Sequence, residues 1–389
     1  MKTKIKNKQE RGITLIALVV TIVVLLILAG VSISLVLNNN GVISKSKDAR
    51  DQYAEAQTNE EKQLNEVSDW IDTKVGETSG SSNYDPASEG VTIPDGFYYV
   101  GGTKDSGLVI SDSTEDKDRY KGEENVGTDL VGNQFVWIPV DNIADYKRTA
   151  YSDQVATGTT DTTTNSEKIK ANLVNYIEAL PTDEKTSVEN NKGYYIGRYE
   201  AGDQESTNSK ELRTSSSSTS NKITVKAGQA PYNYVTRTQA KSLAEGFSAK
   251  QGYTSVKSKL VSSYAWDTAI AFIQKTNSEY GDSSNEGNYK DSETFTYTGI
   301  DDIEVNKQTK ANGTSILIPT GETTAVNNIY DMGGNAGEWT TESNTNTYGP
   351  CTYRGGYFGN NFADDSAGSR SRDSDRATLY YGFRCTLFL

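Results

Sequence analysis

Residues 13–37 carry no charged side chain, and the apolar run there is softened only by Thr14, Thr21, Gly30, Ser32 and Ser34. At ~1.5 Å of rise per residue, a helix of that length crosses a ~30 Å hydrocarbon core. Lys2, Lys4, Lys6, Lys8 and Arg11 precede it. Positive charge stays on the cytoplasmic side, which sends the C-terminal bulk outward. The segment predicts a basic leader (1–12), one membrane-spanning helix (13–37) and an extracellular remainder, so the cell membrane is the expected location. A cleaved secretory signal fits less well, because it needs a shorter apolar region and a small-x-small site. Leu28-Ala29-Gly30 is a poor one, and no cysteine follows to make a lipoprotein. A plain uncleaved anchor stays open.

Composition removes several classes of chemistry. The chain has no histidine, which eliminates Ser-His-Asp and Cys-His catalysis and His-ligated zinc. Its two cysteines, Cys351 and Cys385, are too few for a zinc ribbon or an iron–sulfur cluster. A formal net charge of -13 repels phosphate backbones, so nucleic acid is not an expected partner.

Arg11-Gly12-Ile13-Thr14-Leu15-Ile16 joins a short basic leader ending in Gly directly to a long apolar helix. This resembles a type IV prepilin or pseudopilin. The resemblance implies cleavage by a prepilin peptidase between Gly12 and Ile13, with the helix serving as anchor and, in a filament, as packing core among pilin-like subunits. Most pilins carry Glu at the fifth mature position, where this chain has Ala17. That departure favours a minor, tip or merely membrane-bound role.

Residues 38–75 read as a helical stalk rich in Ala, Glu, Gln, Lys and Asp. Ala49, Tyr53 and Ala56, then Leu64, Val67 and Ile71, recur at helical spacing, while Glu60 and Glu61 break the stripe. Residues 76–90 are a Gly/Ser/Pro linker. From residue 91 to 389 the pattern changes to short aromatic or β-branched runs between turn signals. Phe97-Tyr98-Tyr99-Val100, Gln134-Phe135-Val136-Trp137-Ile138-Pro139 and Tyr194-Tyr195-Ile196-Gly197-Arg198-Tyr199 predict strands. Residues 238–247 and 263–275 predict helices, the second with Trp266, Ala269, Ile270 and Ile273 on one face. Low-complexity stretches at 157–166 and 206–220 predict exposed loops. The expected class is α+β with much irregular structure.

Four ordered segments carry a second resemblance. They are Tyr195-Ile196-Gly197-Arg198-Tyr199-Glu200, then Ile329-Tyr330-Asp331-Met332-Gly333-Gly334-Asn335-Ala336-Gly337-Glu338-Trp339, then Arg354-Gly355-Gly356, and last Tyr381-Gly382-Phe383-Arg384. Together they are similar to formylglycine-generating-enzyme-like domains of the sulfatase-modifying-factor type, over about the last two thirds of the chain. The resemblance implies a C-type-lectin-like fold. It also implies an oxidase that holds copper between two cysteines just after the Arg-Gly-Gly strand. By spacing, Asn360 and Asp365 occupy those two places here. Their oxygens are hard ligands, poor for Cu(I). Related iron-dependent sulfoxide synthases use histidines, and this chain has none. The head therefore reads as a binding module that keeps the fold without the catalyst. A formylglycine-generating-type oxidase tethered to the membrane is the alternative, and a purely structural envelope protein is a third reading.

Residues 357–381 then form the candidate ligand face. The residues singled out are Tyr357, Phe358, Asn360, Asn361, Asp364, Asp365, Arg370, Arg372, Asp373, Asp375, Arg376, Tyr380 and Tyr381. Tyr, Ser, Asn and Arg supply contact area and adaptable hydrogen bonds at modest entropic cost. An extracellular protein or glycan is the expected ligand. A polar surface loop with charge pairs is the bland alternative. The fold also occurs in variable proteins of diversity-generating retroelements, which carry their variable stretch at the C-terminus. Resemblance further implies calcium at the loop holding Asn335 and Glu338, through side-chain and carbonyl oxygens. Satisfying buried backbone groups is the other role open to those two residues. Cys351 and Cys385 could join in a disulfide if the two closing strands are neighbours, and two free thiols are the alternative.

Overall fold

The strand Gln134–Pro139 sends Phe135 and Trp137 into one apolar cluster and Val136 and Ile138 into another. Side chains alternate faces along a strand, so an unbroken apolar run marks a strand buried on both sides. The computed structural model describes residues 19–28, 84–151, 173–203, 222–281, 286–298, 307–361 and 365–389. It divides into two compact units, Met1–Ser81 and Ser82–Leu389.

In the first unit residues 19–28 are helical, with exposed apolar side chains. Among the described residues no helix is long and apolar enough to cross a membrane. The remainder of the 13–37 segment, the leader with Gly12 and Ile13, and the stalk lie outside the described residues. So do the low-complexity stretches 157–166 and 206–220.

In the second unit the elements run β1 (Tyr98–Gly101), β2 (Val109–Ser111), β3 (Gln134–Pro139), β4 (Tyr176–Ile177), α1 (Thr182–Asn191), β5 (Gly193–Gly197), β6 (Gly202–Asp203) and β7 (Ile223–Thr224). They continue with α2 (Arg237–Gln251), β8 (Lys257–Leu260), α3 (Ser263–Ile273), β9 (Phe295–Thr298), β10 (Lys307–Lys310), β11 (Gly337–Asn344), β12 (Cys351–Arg354), β13 (Arg370–Asp373), β14 (Tyr381–Phe383) and β15 (Cys385–Phe388). The architecture is mixed α+β, mostly sheet. One six-stranded sheet has the order β1-β2-β3-β5-β15-β8, and a second has β13-β12-β11-β14 with β4 also paired to β11. The chain changes sheets at Arg384, the single residue between β14 and β15.

Both expected helices are present, each with a side-chain cap. Thr236 and Gln239 form a reciprocal capping box on α2, and Ser262 accepts from the Ala265 amide on α3. The helix α2 buries Ala240, Leu243, Ala244 and Phe247 in one core cluster, while α3 buries Trp266, Ala269, Ile270 and Ile273 in the other. The sequence did not signal α1: nine of its ten residues are polar, it has no side-chain cap bond, and Val188 is its one buried hydrophobic residue. Residues read as the end of the linker belong to the folded head. Pro86–Glu89 form a 3-10 turn capped by Asp85, and Tyr84 packs on Tyr99 with ring centroids 5.5 Å apart.

Candidate ligand-binding surface

The register of β13 against β12 divides the sequence-predicted face in two. Tyr353 lies opposite Ser371 and Cys351 opposite Asp373, while Arg354 lies opposite Arg370 and Thr352 opposite Arg372. Residues directly opposite share a sheet face. Ser371 and Asp373 therefore join Tyr353 on the aromatic side, and Arg370 and Arg372 lie on the other.

On the aromatic side a ladder of rings climbs from the core to the surface. Trp339 is fully buried and meets Tyr381 at 4.6 Å between centroids; Tyr381 meets Tyr353 at 4.5 Å and Tyr357 at 6.3 Å. Tyr357 is half-buried and meets Tyr380 at 4.8 Å with the planes tilted by 37°, and Tyr380 is 40% exposed. Phe358 backs this pair, 5.7 Å from Tyr380. Phe358 itself is only 5% exposed and packs with Leu317 and Ala336, so it supports the surface from below.

The polar residues of this side are fastened to one another. Asp373 accepts from the Tyr381 hydroxyl at 2.7 Å and from Arg376 Nε at 2.7 Å. Burial acts to raise the Asp373 carboxyl, but those donors win and hold it below its ordinary range. The bond to Asp373 in turn raises Arg376. Asp365 accepts from Ser371 Oγ at 2.8 Å. Asp375 accepts from the Thr238 amide at 3.2 Å and from its hydroxyl, which ties the loop after β13 to the first turn of α2. Asn360 shapes its own turn: its Oδ1 accepts from the Tyr357 amide at 2.9 Å and its carbonyl from the Lys290 amide at 2.9 Å. Asn361 is exposed, and Asp364 lies outside the described residues.

Three of the predicted ligand residues, Phe358, Arg370 and Tyr381, are buried. Arg370 is 4% exposed and lies in a buried ionic network. It donates to Asp267 and to Glu342, its Nε reaching Glu342 Oε2 at 3.1 Å. Arg354 reaches Asp267 at 2.6 Å, and Arg148 reaches Glu342 at 3.0 Å. A guanidinium buried among carboxylates is not available to a ligand. Tyr381 is buried too, and acts through Asp373. Sequence reading missed Asp267 and Glu342. The signal for Asp267 was a carboxylate inside an apolar helix face, beside Trp266.

The structure gives the Asn335 and Glu338 side chains internal partners, the second of the two roles open to them. Asn335 Oδ1 accepts from Asn288 Nδ2 at 2.9 Å and the Ile318 amide at 3.1 Å. Its Nδ2 donates to Glu200 at 2.8 Å and the Ile318 carbonyl at 3.2 Å. An Asn side chain has two donors and two acceptor sites, so Asn335 is saturated. Both oxygens of Glu338 face Arg384, at 2.7 to 3.2 Å. Among the described residues no group of three or more acidic side chains or cysteines is placed to hold a metal ion. The disulfide fails. Cys351 and Cys385 are buried free thiols, and their strands lie in different sheets. Burial raises both thiols. Asn360 and Asp365, in the copper-cysteine places, serve the turn and Ser371.

No protein-family model matches the chain, and no curated protein does. Solved structures similar to it include PvdO from Pseudomonas aeruginosa, at 14% identity over 68% of this chain and 98% of that one, with a TM-score of 0.35. Treponema denticola variable protein 1 is similar at 12% identity over 68% of this chain and 98% of its own, with a TM-score of 0.34. CarF is similar at 15% identity over 40% of this chain and 67% of its own, with a TM-score of 0.29. Superpositions this partial place no residue's role on this chain.

Proposed function

We propose that the chain is a membrane-anchored, pilin-like surface protein whose non-catalytic, C-type-lectin-like head binds an extracellular ligand through the surface around Tyr357 and Tyr380. The observation that carries this reading is the Tyr357–Tyr380 ring pair. It is presented outward on a ladder of buried rings and on polar residues bonded to one another. Rigid tyrosines give contact area at low entropic cost, which suits recognition better than packing. Residues 13–37 supply the anchor, and Gly12–Ile13 the bond a prepilin peptidase would cut. The exposed part of residues 357–381 is the stretch a diversity-generating retroelement would vary.

Protease added to intact cells should release the Tyr-rich head, and mass spectrometry should find a mature N-terminus at Ile13. A head untouched by protease, with the protein fractionating with cytosol, would overturn the display. Sister strains should differ within residues 357–381; a uniform stretch with no nearby template repeat would reject variability.

A further inference from the structure

Edge strands are ordinarily guarded by charge, proline or a bulge, because an unpaired edge is a template for another chain. The strand β9 has none of these. It reads Phe295-Thr296-Tyr297-Thr298, four residues that favour strands, in regular register with β10. Among the described residues β10 is its only strand partner, and no backbone hydrogen bond leaves its other edge. Two depressions of about 660 and 360 Å³ run along β9 and share Thr296 and Glu322. Residues 320–324 line them as well. That wall is braced: Asp331 accepts from the Gly321 amide at 2.7 Å and from Thr323 Oγ1 at 2.6 Å, and the Thr320 amide donates to the Gln229 carbonyl at 2.9 Å. No hydrogen bond among the described residues joins the wall to β9.

The groove is acidic. Glu286, Glu293 and Glu322 line it against one cation, Lys307, and none of residues 357–381 is among its lining residues. Glu286 is partly engaged, accepting from Asn277 at 3.1 Å. Glu293 is exposed and Glu322 half-buried, and neither forms an ion pair among the described residues. We infer that this groove takes an extended polypeptide segment of a partner protein, rich in lysine or arginine, which adds as a strand to the open edge of β9. The backbone of the added strand supplies the partners that β9 lacks, and its side chains supply the specificity. Side chains alternate faces along a strand, so cations two residues apart fall on one side, where Glu293 and Glu322 complement them. The four residues of β9 set the paired length at roughly 13 Å. An acidic segment would meet like charge, and a glycan has no amide ladder to offer.

The test pans a random decapeptide display library on the full-length chain in detergent. Selected sequences should be richer in Lys and Arg than in Asp and Glu, and a synthetic peptide of selected sequence should bind. Glu293→Lys combined with Glu322→Lys should lower its affinity by about tenfold or more at an unchanged unfolding temperature. If that variant unfolds, Glu293→Gln with Glu322→Gln takes its place, with a smaller loss expected. Raising salt from about 50 to about 500 mM should weaken binding several-fold, because screening acts on charges. N-methylating every second residue of the peptide should abolish binding in at least one of the two phases, since a strand directs alternate amides to its neighbour. Selection of no peptide, or only of peptides indifferent to the two glutamates, would overturn the groove. A selected peptide that loses binding to Tyr380→Ala instead would belong to the tyrosine surface and count against the groove. Glutamate-dependent binding that tolerates N-methylation in both phases would overturn strand addition.

Discussion

Arg384 donates to both carboxylate oxygens of Glu338, at 2.7 to 3.2 Å, from the one residue where the chain leaves the second sheet for the first. Both side chains are fully buried. Arg384 also donates to the carbonyls of Gly197 and Tyr330, each at 2.8 Å. The pair thus locks the two sheets to each other and to the loop before β11. Arg384→Ala should cost about 3–5 kcal/mol, because it strands a buried carboxylate. Chemical denaturation of the single and double variants checks this. In the double variant the loss should fall well short of the sum, and additive losses would contradict the coupling.

The network of Arg354, Asp267, Arg370 and Glu342 makes a separate prediction. Arg370→Met should lower the unfolding midpoint by an amount worth about 3 kcal/mol, by leaving Glu342 and Asp267 short of a partner. Ligand affinity per folded molecule should be unchanged, because Arg370 faces inward. A variant of normal stability with lost binding would restore Arg370 to the ligand face.

Stability should fall as pH rises from mildly acid to alkaline. Burial raises the carboxyl of Glu200 well above its ordinary 4.5, and nearby Asp331 and Glu338 add to the effect. Burial also raises Asp331. A carboxyl whose folded pKa lies above its unfolded value keeps a proton that the unfolded chain has lost. Its contribution is fully present below the unfolded value of 4.5 and disappears as pH passes the raised one. Urea midpoints at about pH 5.5 should therefore exceed those at about pH 8.5. Glu200→Gln should flatten that slope. An unchanged slope in the variant would assign the proton elsewhere.

Gly356 has φ +66°, and a Cβ there would lie 2.1 Å from the Asp365 carbonyl oxygen. Gly356→Ala should cost about 2 kcal/mol or more from the left-handed backbone and the clash together. It should also displace the turn that carries Tyr357, which thermal unfolding and ligand affinity would both report.

Cys351 and Cys385 should react with a thiol reagent only after unfolding, since both are buried. Reductant should leave the unfolding temperature unchanged. A drop in that temperature under reductant would revive the disulfide.

Much of the head was legible because its rules are local. The run Gln134–Pro139 is a strand as expected, and Ser262 and Thr236 mark their helices by capping. Arg198, Arg354 and Arg384 stand out as large cations among apolar strands, and all three are buried. What was not legible depends on register and on distant partners. The side chains of β13 alternate, so Arg370 turns inward while Asp373 reaches Tyr381, and nothing within four residues fixes which way the strand faces. The partners of Arg370, at 267 and 342, lie 103 and 28 residues away. Asn335 and Glu338 looked like oxygen ligands because their internal partners, Asn288 and Arg384, come from other parts of the chain.

The most direct measurement compares wild-type protein with Tyr357→Ala and Tyr380→Ala on an array of immobilised glycans and proteins, read at the spots that the wild-type chain binds and at matched folded fraction. Each variant should keep its fold and lose about tenfold or more in affinity. Unchanged affinity in both variants would contradict the claim that this tyrosine pair is the recognition surface.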